Sequence, residues 1–342
     1  MKKKSVERRY VLIGVCFLLP AVAAYLVFMA YPLCRTAYLS FSSWSGFGEV
    51  VLNGVKNYQD LFADKTFWSS LGNTLYFAVF SGIISVVLGV LTAWLILYMR
   101  KMEGQVFRTV LFAPNMIAPT ITGLLFLFVF TEDIGLLNNI LKAVGLEEWT
   151  TAWLANMNTV KPTVVIVQTW RQFGLTMILC FAGLQGISNE LIESARLDGA
   201  GDGRIFTRIL LPLIKPQIEL ATMFTLLNGL KIYDSVVSLT GGGPSRQTVV
   251  LPMWIIENAF TYSNFGYASA MCIAFIIVVL IFNIVLRTVF RGENYEYYSK
   301  EARRRANALF QKHLVKNYFP GDHHSAVSDG CVPADFHRVG FL

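Results

Sequence analysis

The chain has 342 residues, of which 54% are hydrophobic and only 15% charged, against roughly a quarter charged in ordinary soluble domains. Its net charge of +7 is spread over short segments between apolar runs, which argues against a nucleic-acid patch as its purpose. Five scattered cysteines (Cys16, Cys34, Cys180, Cys272, Cys331) form no CxxC pair and, being odd in number, no complete disulfide framework. The class that remains is an all-α polytopic membrane protein.

Crossing a bilayer takes about 20 predominantly apolar residues. Six segments meet that length: 10–32, 74–98, 106–130, 160–184, 213–237 and 266–290. A basic segment, residues 1–9, precedes the first. That first run is too long in its apolar part for a cleavable signal peptide, and no small-residue cleavage site follows it. Pro20, Pro114 and Pro119 fall inside spans, which membrane helices tolerate where neighbours satisfy the freed carbonyls. Lys2, Lys3, Lys4, Arg8 and Arg9 precede the first span; Arg100, Lys101 and Arg108 flank the second loop; Arg196, Arg204 and Arg208 occupy the fourth. Arg287, Arg291, Arg303, Arg304 and Arg305 close the sixth, whereas the third loop carries Glu132, Asp133, Glu147 and Glu148. Basic residues gather on the cytoplasmic side of membrane proteins, so both termini are expected inside the cell, with the 188–212 loop.

That loop interrupts the apolar pattern with "ESARLDGAGDGRIFTRILLPLIKP", residues 193–216. Ser188 or Asn189 is placed to cap a helix, and Glu190 and Glu193 sit in its first turns, where the dipole favours acids. Ala195, Ala200 and the glycines keep its profile thin, open to close approach by another protein. Gly199 and Gly201 permit a turn, and Pro212 and Pro216 shape the return to the membrane. Glu193-Ser194-Ala195, Asp198-Gly199-Ala200, Phe206, Ile209, Leu211-Pro212 and Pro216 together resemble the EAA loop of bacterial ATP-binding-cassette importer permeases. Further stretches resemble the carbohydrate-uptake, maltose-type branch: "LTGGGPSRQT" (239–248), "YPL" at the end of the first span, "IGLLNNIL" (134–141) and "FAGLQGI" ahead of the loop. The resemblance covers roughly residues 10–295. It departs at Ser194, where the pattern has alanine.

The resemblance implies a type I importer permease fold: a six-helix domain over 10–290 in the bacterial cytoplasmic membrane, with a coupling helix that docks on a separate ATPase. Glu193, Ser194, Ala195, Asp198, Gly199, Ala200 and Pro212 would form that dock, Glu193 meeting basic groups of the partner. The implied assembly holds a second homologous permease subunit, an ATPase dimer using ATP and Mg, and an extracellular solute-binding protein that delivers a sugar. Within the chain itself no GxxxxGK[ST] and no Gly-Lys dipeptide occurs, nor HExxH or GxSxG, so no phosphate cradle or catalytic motif is present. No cofactor or metal is expected here. The alternatives, a polytopic membrane enzyme or an ATP-independent transporter, would call for clustered acids or histidines at one membrane face, or for an internal repeat; the sequence displays neither.

Ionisable groups inside a bilayer usually face a cavity or a partner. Gln168, Arg171, Gln172 and Leu175 recur at three-to-four spacing and share a helix face. Counting inward from the outer ends of spans four and five brings Arg171 and Asn228 to similar depth, with Lys231 and Asp234 one turn further out. The resemblance adds Thr225, Gly229 and Ile232 to this substrate path. Trp170, Phe173 and Tyr233 are read either as stacking platforms for sugar faces or as packing. Arg171 is read as a ligand contact or as the partner of an acid in the second subunit. Lys231 and Asp234, at i,i+3, either neutralise one another or meet substrate. The tail, 291–342, holds His313, His323, His324, His337 and Cys331 in no standard metal spacing and is expected to be a flexible cytoplasmic appendage.

Overall fold

A computed structural model describes Gly14 and residues 17–290. The basic N-terminal residues, Cys16, the tail and its histidines lie outside the described residues. Residues 1–284 group into one unit and 285–342 into another; the described part of the second is the end of the last helix.

Helix α1, Phe17–Leu39, is a span by length and composition and buries none of its most apolar window inside the chain. It does not stop at Pro32 as the sequence suggested. A wide π turn over Leu26–Ala30 carries the Tyr31 amide to the Leu26 carbonyl, and such a turn absorbs the proline that follows. One small two-stranded pairing, β1, Ser42–Ser43, with β2, Val51–Leu52, interrupts the helices. After α2, Lys56–Ala63, comes the principal rod, α3, Lys65–Leu97.

The third expected span is broken. Helix α4, Lys101–Met116, and α5, Pro119–Phe130, meet at 101°. Ile117 and Ala118 are both extended between them: a residue before proline is driven out of the helical region, and Pro119 then opens α5 at a position where its missing N–H costs nothing. Helix α6, Leu136–Ala143, and a 3-10 turn over Glu147–Trp149 lead to α7, Val160–Gln185. The fifth span is broken as well. Helix α9, Asp202–Leu213, and α10, Lys215–Leu230, bend by 71°, because Pro216 cannot bond the Pro212 carbonyl and its ring crowds it. The outer end of that span stops at Leu230, not Val237. Residues 231–233 interrupt it before α11, Asp234–Thr240, and then follow α12, Leu251–Ile256, and α13, Phe265–Phe290. Among the described residues, four unbroken helices and two bent pairs therefore give up to six spans.

Interior packing centres on α3, against which α7, α10 and α12 all pack. In a membrane, helices associate by close van der Waals contact rather than by escaping water, so small residues mark the crossings. An added Cβ on Gly229 would sit 2.5 Å from the Ala78 Cα, one on Gly89 2.6 Å from the Thr176 Cβ, and one on Gly174 2.2 Å from the Leu111 carbonyl oxygen. Above this crossing Asp64 caps α3. Its carboxylate accepts from the Thr66 amide at 2.7 Å, the Trp254 indole at 2.9 Å and the Tyr267 hydroxyl at 2.8 Å. Burial alone would raise the Asp64 carboxyl, but these donors outweigh it and hold its pKa below the usual value.

Candidate functional site

The inward elbow is built from α8, Asn189–Leu197, and α9. Ser188 occupies the N-cap in an extended conformation, yet neither it nor Asn189 makes the expected side-chain cap. The other end is closed by backbone alone. The Gly199 amide bonds the Arg196 carbonyl at 3.0 Å and the Ala200 amide bonds Ala195 at 3.0 Å, the reciprocal pair of a Schellman stop. That stop needs a left-handed residue, and Gly199 has φ +82°; a Cβ there would cost roughly 1–2 kcal/mol. Gly201 then starts α9, and Arg196 bridges back to Asp202 at 3.0 Å.

The two faces of this elbow differ in kind. Outward, Glu193, Ser194, Asp198 and Gly199 are all exposed, as is Pro212. Added Cβ atoms on Gly199, Gly201 and Gly203 would meet nothing within 4 Å. Leu197 is 89% exposed at the tip. Sequence reasoning passed over this leucine, although a leucine beside "DGA" at the end of a short charged helix was available as the signal. Inward, Ala195 joins Ile205, Leu210 and Ile214 in one core with Ala93 and Ile96 of α3 and Phe181 and Leu184 of α7. The small size of Ala195 thus serves packing within the chain, not the thin outer profile expected of it. Phe206 stacks on Trp94 of α3 at 4.5 Å. A load on the outer face therefore reaches the inner ends of α3 and α7 through packed side chains, which do not compress appreciably.

The residues expected on the transport path divide between two surroundings. Gln168, Gln172, Thr225, Gly229 and Ile232 are buried inside this chain. Gln172 donates to Ser81 on α3 at 3.1 Å, Thr225 bonds the carbonyls of its own helix, and Gly229 lies on Ala78. Asn228 is exposed, while Arg171, Leu175 and Tyr233 are half-buried, so the rim open to a neighbour holds the residues three positions beyond the buried Gln168 and Thr225. Trp170 packs edge-on against Phe126 at 5.0 Å. Lys231 and Asp234 are parted by the helix break and form no ion pair. A buried polar seam was not read from the sequence: Ser85, Gln168, Thr169, Gln172 and Thr176 all keep buried polar atoms without partners.

Bent and straight spans, with a short elbow packed on the ends of two of them, define a polytopic membrane subunit. The chain belongs to the family described as binding-protein-dependent transport system inner membrane component, whose profile matches residues 85–292. It is similar to the probable ABC transporter permease protein YurN of Bacillus subtilis (strain 168), 36% identical over 277 residues that make up 80% of this chain and 94% of that one. The lactose transport system permease protein LacF of Rhizobium radiobacter is 30% identical over 83% of this chain and 95% of its own. Among solved structures, a chain of a bacterial ABC transporter involved in import of the acidic polysaccharide alginate matches with a TM-score of 0.73 at 23% identity, over 84% of this chain and 97% of that one. At that identity the likeness is one of fold. The fold is thus that of a type I ABC importer permease, and the protein is a multi-pass permease subunit of the cytoplasmic membrane.

Proposed function

We propose that the chain is half of the translocation path of an ATP-driven sugar importer and carries no chemistry of its own. The observation that carries this reading is the elbow: open outside, with exposed acids and an exposed leucine, and packed into the α3–α7 core inside. Its partner is an ATPase dimer that hydrolyses ATP with Mg. Glu193 faces basic groups of that dimer, Leu197 enters an apolar pocket, and Gly199 keeps the tip in shape. A second, related permease subunit covers the Arg171–Asn228 rim, and an extracellular solute-binding protein delivers the ligand. The lactose permease above supports sugar as the cargo class, as does AmyD of Thermoanaerobacterium thermosulfurigenes, a probable permease for starch degradation products that is 29% identical over 79% of this chain and 90% of its own. Nucleotide and loaded binding protein then act as one switch, each favouring the same arrangement of spans through its differential affinity.

Co-purification from detergent tests this reading. Wild-type chain is expected to retain the ATPase, and Glu193→Lys or Gly199→Asp to lose it while still inserting in the membrane. Retention by both variants, or ATP-independent transport by the chain alone, would overturn it. A second reading concerns charge: Arg171 keeps a buried Nε without a partner, which suits an acidic or modified sugar. Equal uptake of neutral and uronic-acid sugars would remove that reading.

A further inference from the structure

The segment between α5 and α7 contains a short helix whose inward side, beside the half-buried Leu137 and Leu141, carries a fully buried polar residue. Asn138, in the middle of α6, is 2% exposed. Its amide donates to the Glu132 and Thr151 carbonyls, each at 3.0 Å, and its Oδ1 accepts from the Trp153 indole at 2.8 Å. These bonds hold a polar edge of the helix inward. The apolar ridge therefore points away from the chain: Leu136, Ile140 and Val144, at four-residue spacing on one face, are 58%, 50% and 69% exposed. Trp149, just beyond, is 69% exposed. A run of exposed apolar side chains held out by a buried polar clamp needs an occupant.

Position says which occupant. Five residues separate α5 from α6, and Gly135 is pressed so tightly on the end of α5 that a Cβ would run into the Thr131 and Val129 carbonyl oxygens. The ridge thus lies at the outer end of a span whose own residues Leu124, Leu125 and Phe128 are exposed and continue the apolar surface leading up to it. Asn139 and Lys142 are exposed on the polar side, and an indole at this level matches the aromatic belt of membrane boundaries. We propose that α6 lies in the headgroup–acyl boundary of the outer leaflet, with Leu136, Ile140 and Val144 in lipid, as an in-plane anchor that fixes the depth of the α5 end. The proposal rests on the outer placement of residues 131–159, not on the identity of the cargo.

Photo-crosslinking in the assembled transporter in native membranes tests it. p-Benzoylphenylalanine at Ile140 or Val144 is expected to yield phospholipid adducts by mass spectrometry, and at Asn139 or Lys142 none. A second readout avoids the bulky probe: over the background of the parent chain, a membrane-impermeant maleimide should label Lys142→Cys and spare Ile140→Cys. An adduct to a protein at Ile140 and Val144, the absence of lipid adducts there, or equal labelling of both cysteines would overturn the anchor.

Discussion

The glycines of the elbow and those of the helix crossings are the same residue under opposite constraints. Around Gly199, Gly201 and Gly203 there is open space, and at Gly199 the backbone angle alone demands glycine. Around Gly89, Gly174 and Gly229 the backbone is ordinary and the space is gone. The first set shapes a surface for something else to use; the second lets helices approach where no larger side chain fits. What a glycine does is therefore decided by its neighbours, and substitution should separate the two groups cleanly.

The largest effect is expected at the crossing. Gly174→Val drives a branched side chain into the Leu111 carbonyl, and overpacking of this kind costs about 3 kcal/mol or more; thermal unfolding in detergent should show a large loss of folded protein. Next comes the outer latch. Asp64→Ala removes the acceptor for three donors, a loss of about 2 kcal/mol, and the same carboxylate gives stability a pH dependence. Because its folded pKa lies below the usual value, its contribution is complete above about pH 4 and fades as pH falls through the folded value; Asp64→Asn should lack that acid-side decline. At the elbow, Gly199→Val should cost roughly 1–2 kcal/mol and leave the spans assembled, as size-exclusion profiles would record. The smallest effect belongs to the exposed Arg196–Asp202 bridge: Arg196→Ala should shift stability by less than about 0.5 kcal/mol. A reversal in rank between Gly174→Val and Gly199→Val would break the distinction.

The elbow was legible in the sequence because its determinants are local: a left-handed glycine, a proline at the re-entry and charges in a greasy chain. The span count was legible for the same reason, since composition along the chain reports it. Direction was not. Pro119 and Pro216 were visible, but an apolar window reads the same whether the helix runs straight or turns by 101°. The inward burial of Gln168 and Gln172 was hidden for a further physical reason. In lipid, the outer face of a helix is as apolar as its packed face, so no hydrophobic period tells inside from outside. Ser81 and Ser85 carried no signal for that reason, and Gln168 and Gln172 signalled a shared polar face but not which way it points. The burial of Asn138 was hidden differently: on an amphipathic helix a polar residue is expected outward, and only the loop carbonyls around it explain its position.

Helix α3 has 33 residues, roughly 50 Å of rod at 1.5 Å per residue, against a hydrocarbon layer of about 30 Å. Its two ends carry the Asp64 latch and the Trp94–Phe206 stack, and its middle is wedged at Gly82 and Gly89. A beam held at its waist behaves as a see-saw. Any tilt that drew its cytoplasmic end inward would swing its external end outward.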